Sequence, residues 1–467
     1  MDAHQVSHHA SLQGKAVRRL LRRGGRGRIG KLLAKMRTED VAFMLRGFTP
    51  AEQFDVFRIL ASDFADEAPS VLLELDPPSR LGILEQLEPS AIAGLIAQVA
   101  SDDAVFLLDS LPDALREEVL AIVDVETEKF SDLQAQLVYA DDTAGRIMDN
   151  EFVALVDSTT VAEATEQIRE VAQDIEMISY LYVVDDLGRL VGVTPLRNLL
   201  LAQPKATLRE LMNPSVIHVH TATDQEEVAQ LASRYDLLAI PVTDEDDHLV
   251  GIVTIDDIVD IVKAEATEDF YKMAGTSDDE LIYEDKSWKI AGIRLPWILF
   301  NLVGLLLAGV VVGRFETAFE SGLSVAVLVG FIPVIMGMAG NIGAQTSTIA
   351  VRGLATGRLQ VTAGEVRRFT WQQLKVGVIL GVVCSTLVAI AAVFLGESLV
   401  IPAAVGLSLF FTVQLASLNG VLIPVLFDRL GFDPAVASGP LVTTSNDVLG
   451  VLIYFSLTAV LFGWLGA

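Results

Sequence analysis

Five long apolar runs dominate the carboxyl-terminal part of this 467-residue chain: Leu295–Gly313, Leu323–Gly340, Val376–Gly396, Leu399–Phe427 and Ala435–Trp464. Each is close to, or beyond, the ~20 residues a helix needs to cross a bilayer's hydrocarbon. A helix satisfies its own backbone in lipid, so this stretch is read as a five-helix membrane domain. Between the second and third runs lie Arg352, Arg358, Arg367, Arg368 and Lys375, which place that loop in the cytoplasm. The loops around Glu316, Glu320 and Glu397 are acidic and fall outside. Five crossings then put the amino terminus inside and the carboxyl terminus outside.

The net charge of −27 is unevenly spread. Residues 1–37 hold ten Lys/Arg and one acid, and residues 290–467 hold eight basic and seven acidic side chains. Residues 38–289 hold sixteen basic side chains against fifty-three acids, a charge of −37. Self-repulsion of that size opposes compaction unless cations gather there. The stretch "KAVRRLLRRGGRGRIGKLLAK" (15–35) reads as a basic arm, a disordered or frayed helical lead-in able to touch anionic lipid. Cys384 is the sole cysteine and lies in an apolar run, so disulfides and thiolate clusters are excluded. His4, His8, His9, His218, His220 and His248 show no familiar metal-ligand spacing. No signal peptide is expected ahead of the soluble part.

Two soluble units precede the membrane. In the first, Leu45, Phe48, Val56, Phe57 and Leu60 recur as Leu72, Leu75, Ile83, Leu84 and Leu87, and again as Leu108, Leu111, Val119, Leu120 and Val123. The spacings are 27 and then 36 residues, with turns in "RGFTPAEQ", "LELDPPSR" and "DSLPDALR". Helix pairs stacked in this way build a short superhelix. In the second unit, an amphipathic helix, a β-rich run, an Asp/Gly turn and another strand occur over 159–193 and again over 223–253. The duplicated unit resembles a tandem pair of CBS domains. That resemblance implies an adenine-nucleotide motif at Gly251, Thr254 and Asp257 in the second copy; Pro195 and Asn198 replace its threonine and aspartate in the first.

Within the membrane part, "FIPVIMGMAGNIGAQTSTIAVRGLATGRL" (331–359) reads as a Gly-rich helix breaking into a polar cytoplasmic turn. Gly337, Gly340 and Gly343 permit close helix approach, and Asn341, Gln345, Thr346 and Thr348 supply polar atoms. In the last run Pro440 is expected to free the Val436 carbonyl. Thr443, Thr444, Ser445 and Asn446 then set oxygens beside Asp447. A carboxylate at the middle of a membrane costs ~2.5–3.5 kcal/mol even on insertion scales. Carboxylate plus neutral oxygens, without sulfur or imidazole, suits a hard divalent cation. Mg²⁺ keeps several waters, so one carboxylate from each of two facing subunits suffices.

The order of segments, with "YADDTAGRIM" (139–148), "DDIVDIVKAEATEDFYKMAG" (256–275), "GMAGNIGAQTSTIAVRGLATG" (337–357) and "DPAVASGPLVTTSNDVLG" (433–450), resembles the MgtE family of magnesium channels and transporters. The resemblance implies a multi-domain membrane protein that is not an enzyme. Its parts are a basic arm (1–37), an acidic all-α superhelical domain (38–137) and CBS domains at 138–212 and 213–262. A connecting plug helix (263–287) and a five-helix pore domain (288–467) follow. It implies a homodimer in the inner membrane, with Mg²⁺ as cargo and regulator, ATP as a further ligand at the CBS pair, and no nucleic-acid partner. It puts Asp447 in the pore with Asn341 nearby and Asp433 at the cytoplasmic mouth, and Thr443 and Thr444 join that path by their place beside Asp447. Regulatory Mg²⁺ falls to Asp102, Asp103, Asp224, Asp236, Asp257, Asp260, Glu265, Glu268 and Asp269. Phe106 stands where the family often has a further acid. A related Co²⁺ or Mn²⁺ carrier, or a metal exporter, uses the same ligands and stays open as an alternative.

Overall fold

The computed structural model describes residues 13–122, 133–171, 178–277, 287–316, 323–395 and 400–465. His4, His8, His9, Val123, Glu320 and Glu397 lie outside the described residues. The chain divides into two compact units, residues 1–262 and 263–467.

The first unit opens with short helices, among them Thr38–Leu45, Pro50–Asp63, Ala68–Leu73 and Pro77–Leu84. Their starts follow from sequence. Thr49 and Glu52 form a reciprocal capping box ahead of Pro50, and the Asp76 side chain caps the helix that begins at Pro77. Leu45, Val56, Phe57, Leu72, Ile83, Leu84, Leu108 and Val119 are all buried in one core. The uneven repeat has a structural cause: a further helix, Pro89–Ile96, precedes the pair Ser101–Asp109 (α1) and Asp113–Ile122. That inserted helix adds Ile92, Leu95 and Ile96 to the core.

The basic stretch corrects the expectation of a loose arm. Residues 13–21 and Arg26–Leu33 are helical, and Val17, Ile29 and Leu33 are buried in the same core as the acidic helices. Arg18 pairs with Glu52 at 3.0 Å and stacks over Phe48, 4.7 Å from the ring centroid. Apolar residues at helical spacing dock the segment, while its arginines offset nearby carboxylates.

Each CBS copy builds a three-stranded sheet, β1 (Ala154–Val156), β2 (Tyr180–Val184) and β3 (Leu190–Pro195), then β4 (Val219–His220), β5 (Ala239–Thr243) and β6 (Leu249–Thr254). In both, the first pair is parallel and the second antiparallel. The lead-in segments are exchanged between the copies. Met148 packs where a Cβ on Gly251 would meet its sulfur at 2.6 Å, and Met212 does the same over Gly192 at 2.3 Å. Ala144 and Met148 thus belong to the core of the second sheet although they precede the first in the chain.

A 20-residue helix, Ile255–Ala274 (α2), begins in the first unit and ends in the second. Among the described residues, five helices are long and apolar enough to cross a membrane: Ser287–Glu316 (α3), Ile332–Ala355 (α4), Ala363–Leu395 (α5), Val400–Arg429 (α6) and Pro440–Leu465 (α7). Helix α6 is central. Its Val405, Leu409, Val413 and Ala416 are buried with Ile335, Ala339 and Ile342 of α4 and Val451, Tyr454 and Phe455 of α7. Leu302 and Leu306 of α3, and Ile379, Val383 and Leu387 of α5, are exposed on the single chain, as lipid-facing residues would be.

Two backbone expectations are corrected. The polar stretch 341–355 is not a turn: α4 continues through it, and the irregularity falls at Phe331, between Leu323–Gly330 and α4, where Pro333 sits in the first turn. Pro440 does not interrupt a helix but opens α7, after the short helix Pro434–Ser438 and Gly439. At that position its missing N–H costs nothing.

Candidate ion path and regulatory sites

Helix α7 carries three polar directions two turns from its start. Thr443 and Asp447, four residues apart, share a face. Both flank Gly340 of α4: a Cβ there would lie 3.4 Å from the Thr443 methyl and 4.0 Å from Asp447 Oδ1. Thr444 points elsewhere, its hydroxyl bonded to Asn301 of α3. Asn446 points a third way, accepting from Asn419 Nδ2 of α6 at 3.0 Å and donating to the Ala339 carbonyl at 3.5 Å. Gly343 makes room for it, since a Cβ there would meet Asn446 Nδ2 at 2.0 Å. Gly337 has open space, so of the three glycines Gly343 is the one a close approach requires.

The structure therefore gathers Asp447 and Thr443 but directs Thr444 into helix packing. Asn301 and Asn419, which hold the flanking side chains, are polar residues within apolar runs; that was their available signal, and sequence reading passed over them. Asp447 is half-buried, and no ion pair or hydrogen bond joins its carboxylate to the described residues. On α4, which meets Asp447 at Gly340, Asn341, Gln345 and Thr348 are exposed at helical spacing. A polar stripe on a spanning helix belongs against water or another protein surface rather than lipid.

At the other end of the second unit, α2 finishes against the start of α7. Lys272 Nζ lies 2.7 Å from Asp433 Oδ2 and also pairs with Glu268. Burial alone would lower the Lys272 pKa, yet its bonds to Asp433 and Glu268 outweigh this and raise it. Asp433 in turn caps Pro434–Ser438 through Ala435 N at 2.7 Å. Asp269 is pushed up by burial and then by the charge of Asp433. Gly439 is needed for this fit, because a Cβ there would stand 2.1 Å from the Met273 carbonyl oxygen. Glu265 and Glu268 are half-buried in this part of α2.

In the first unit, α1 is pinned at both ends. Arg146 grips Asp109 with two bonds of 2.6 and 3.1 Å, and Ser101 Oγ accepts from Asn150 N at 2.9 Å. Between these ties Asp102 comes near Asp149 and Asp257. Its Oδ1 is buried with no hydrogen-bond partner among the described residues. Burial, then the charges of Asp257, Asp103 and Asp149, raise the Asp102 pKa well above its ordinary value. Burial likewise lifts Asp257 to about 6, against the bond it accepts from Thr254 Oγ1. Carboxylates converging with an unsatisfied oxygen offer a hard divalent ion its preferred donors. Asp149 was missed in sequence, although it follows directly on the quoted "YADDTAGRIM". Asp260 is exposed. Asp224 and Asp236 are exposed at opposite ends of Gln225–Tyr235, one as its cap on Glu226 N and the other left-handed at φ 53°. About 16 Å of helix keeps those two from sharing an ion. Phe106 carries the Arg80 guanidinium 4.3 Å above its ring.

Comparison with known proteins fits these features together. The family described as a divalent cation transporter, MgtE, matches residues 332–457, the MgtE intracellular N domain matches 36–142, and CBS domains match 144–205 and 208–264. The chain is 33% identical over 438 residues to the magnesium transporter MgtE of Bacillus subtilis, covering 94% of this chain and 95% of that one. It is 40% identical to the Thermus thermophilus magnesium transporter MgtE over 76% of this chain and 79% of that one. The chain belongs to the MgtE family. It is a multi-pass membrane transporter with an intracellular N domain, not an enzyme.

A solved MgtE structure, the cytosolic domain of the Mg²⁺ channel MgtE in complex with ATP, superposes with a TM-score of 0.50 at 33% identity, covering 53% of this chain and 99% of that one. In the present chain the cleft between the CBS sheets is lined by Phe152, Tyr180, Tyr182, Ala239 and Thr254 and encloses only about 10 Å³. Of the expected nucleotide residues, Thr254 borders it, bonded to Asp256 and Asp257, and Gly251 serves the packing of Met148.

Proposed function

We propose that this MgtE-family protein admits Mg²⁺ to the cytoplasm as a homodimer, along a path lined by Asp447 and Thr443 of α7 and Asn341 of α4, with Asp433 at its inner mouth. One observation carries the reading: a carboxylate in the last apolar helix has no protein partner among the described residues, and α4, which meets it at Gly340, bears a stripe of exposed polar side chains. A second subunit placed over that stripe would bury it and bring two Asp447 side chains to one hydrated ion. The two carboxylates would repel without a cation and share one readily. The dimer sits in the cytoplasmic membrane, amino terminus inside and carboxyl terminus outside, as the basic side chains between 352 and 375, at the end of α4 and the start of α5, support.

Gating follows from the acids of the first unit and of α2. Cytoplasmic Mg²⁺ at Asp102, Asp149 and Asp257 relieves their mutual repulsion and fixes the first turns of α2, the helix whose far end holds Lys272 on Asp433. When Mg²⁺ is scarce the acids repel, α2 is released and the path opens. Moving such an equilibrium from 1:99 to 99:1 takes ~5.5 kcal/mol of differential binding, so several weak ions act together. Asp103, Asp224, Asp236, Asp260, Glu265, Glu268 and Asp269 add sites whose ligands are completed by the partner subunit or by water. ATP is a further ligand of the CBS pair, and the cleft must widen to admit it.

The test is growth rescue of a cell deficient in Mg²⁺ uptake, with membrane abundance measured in parallel. The intact chain is expected to restore growth at low Mg²⁺ and Asp447→Ala to fail at equal abundance. Equal rescue would remove Asp447 from the path. Flux with Co²⁺ or Mn²⁺ competing against Mg²⁺ separates this reading from a carrier of another divalent ion.

A further inference from the structure

We infer that His218, His220 and Asp247 form a binding site for a borderline transition-metal dication, Zn²⁺ foremost, in the second CBS copy and distinct from every Mg²⁺ site. The ligand atoms of the three side chains lie within 4.8 Å of one another, and all three are exposed. His218 and His220 are two apart on extended chain and so face the same way, their rings 5.7 Å apart at 88°. Asp247 comes to them from the β5–β6 turn, where it adopts φ 65°. That turn is braced from the first copy: Leu190 N donates to the Asp247 carbonyl at 3.1 Å.

The hydrogen bonds around the imidazoles prepare them as ligands. His218 Nδ1 lies 3.4 Å from the Val216 carbonyl, which can only accept, so Nδ1 carries the proton and Nε2 keeps its lone pair. His220 Nδ1 lies 3.2 Å from Thr243 Oγ1. That hydroxyl donates to the Val219 carbonyl at 3.4 Å and therefore accepts from the ring. Both Nε2 atoms are thus left free while outer partners hold the rings, the usual arrangement around a bound metal. Two imidazoles and a carboxylate with an open fourth position suit Zn²⁺ and its neighbours. A tetrahedral Zn²⁺ needs ligand atoms about 3.3 Å apart, which small side-chain rotations at the surface supply. Mg²⁺ prefers oxygen ligands, so this donor set tells the two classes of ion apart.

The test is zinc content of the full-length protein, purified on a tag without histidine and carrying His4→Ala, His8→Ala and His9→Ala. Dialysis against micromolar free Zn²⁺ in millimolar Mg²⁺ is expected to leave one Zn²⁺ per chain. Adding His218→Gln and His220→Gln is expected to abolish it, with the far-UV circular dichroism unchanged. Thr243→Val should weaken binding about 10-fold by removing the outer partner of His220. Co²⁺ in place of Zn²⁺ should give visible d–d bands that vanish in the double variant. Absence of retained Zn²⁺ in the parent, or equal retention in the double variant, overturns the site.

Discussion

Lys272 Nζ, near the end of α2, lies 2.7 Å from Asp433 Oδ2, the carboxylate that caps the short helix ahead of α7. Because α2 also carries Asp257 in its first turn, this contact is, in the proposed gating, where the helix would hold the path closed. A partly buried pair of this kind is worth about 1 kcal/mol. Lys272→Met is therefore expected to raise Mg²⁺ flux into proteoliposomes at saturating regulatory Mg²⁺ by roughly 5-fold. Flux at low Mg²⁺, where the helix is already released, should change little.

Gly439 tests the same grip sterically. Its Cβ position is 2.1 Å from the Met273 carbonyl oxygen, too close for any side chain. Gly439→Ala should push the end of α2 away and leave flux less sensitive to Mg²⁺, with the half-inhibiting concentration raised by about 3-fold or more. An unchanged Mg²⁺ response would show that α2 does not close the path through this contact.

The acids around Asp102 predict a pH dependence that runs opposite to that of an ion-paired carboxylate. Burial lifts Asp257 to about 6 and Asp102 upward as well, so the folded protein holds protons that the unfolded chain releases at ordinary carboxylate values. Stability of the chelated protein is then highest below pH ~4 on this account and falls as pH rises through about 6, by roughly 3 kcal/mol at most from Asp257. Thermal unfolding between pH 4.5 and 7.5 should show the decline in chelator, its reversal by Mg²⁺, and a flatter profile for Asp257→Asn.

Arg80 is a structural prediction. Its guanidinium donates to the carbonyls of Leu72, Leu73 and Leu75 and to Ser110 Oγ, and it covers Phe106. Arg80→Ala removes these bonds, leaving the Leu72 carbonyl with Leu75 N alone, and should cost about 3 kcal/mol in the helical domain, seen as a lower unfolding temperature. Phe106→Glu should pair with Arg80 rather than recruit another Mg²⁺, leaving the Mg²⁺ dependence of flux close to that of the parent.

Much of the architecture was legible because it rests on periodicity and length. The repeat Leu45/Val56/Leu60 became buried core, and the five apolar runs became five helices. The basic segment reads as a loose arm because its charge masks Ile29 and Leu33, four apart on one helix, and Val17 on the helix before it, all buried in the core. Polar residues after Gly340 read as a turn because propensity and polarity suggest one, yet α4 runs on to Ala355, with Ile342, Ala350, Val351 and Leu354 buried along it. Pro440 was taken for a helix break because a sequence does not state whether a proline lies inside a helix or at its first position.

The sequence by itself determined that the chain carries five segments long and apolar enough to cross a membrane, that a −37 region stands before them, and that Asp447 lies within the last one. These are properties of composition and one-dimensional spacing, and transfer free energy alone enforces them. Only the tertiary structure decided that Thr443 accompanies Asp447 while Thr444 turns to Asn301, that Asp149 joins Asp102 and Asp257, and that His218, His220 and Asp247 converge. Such groupings depend on which helix face or strand end meets which neighbour, and packing between segments far apart in the chain sets that.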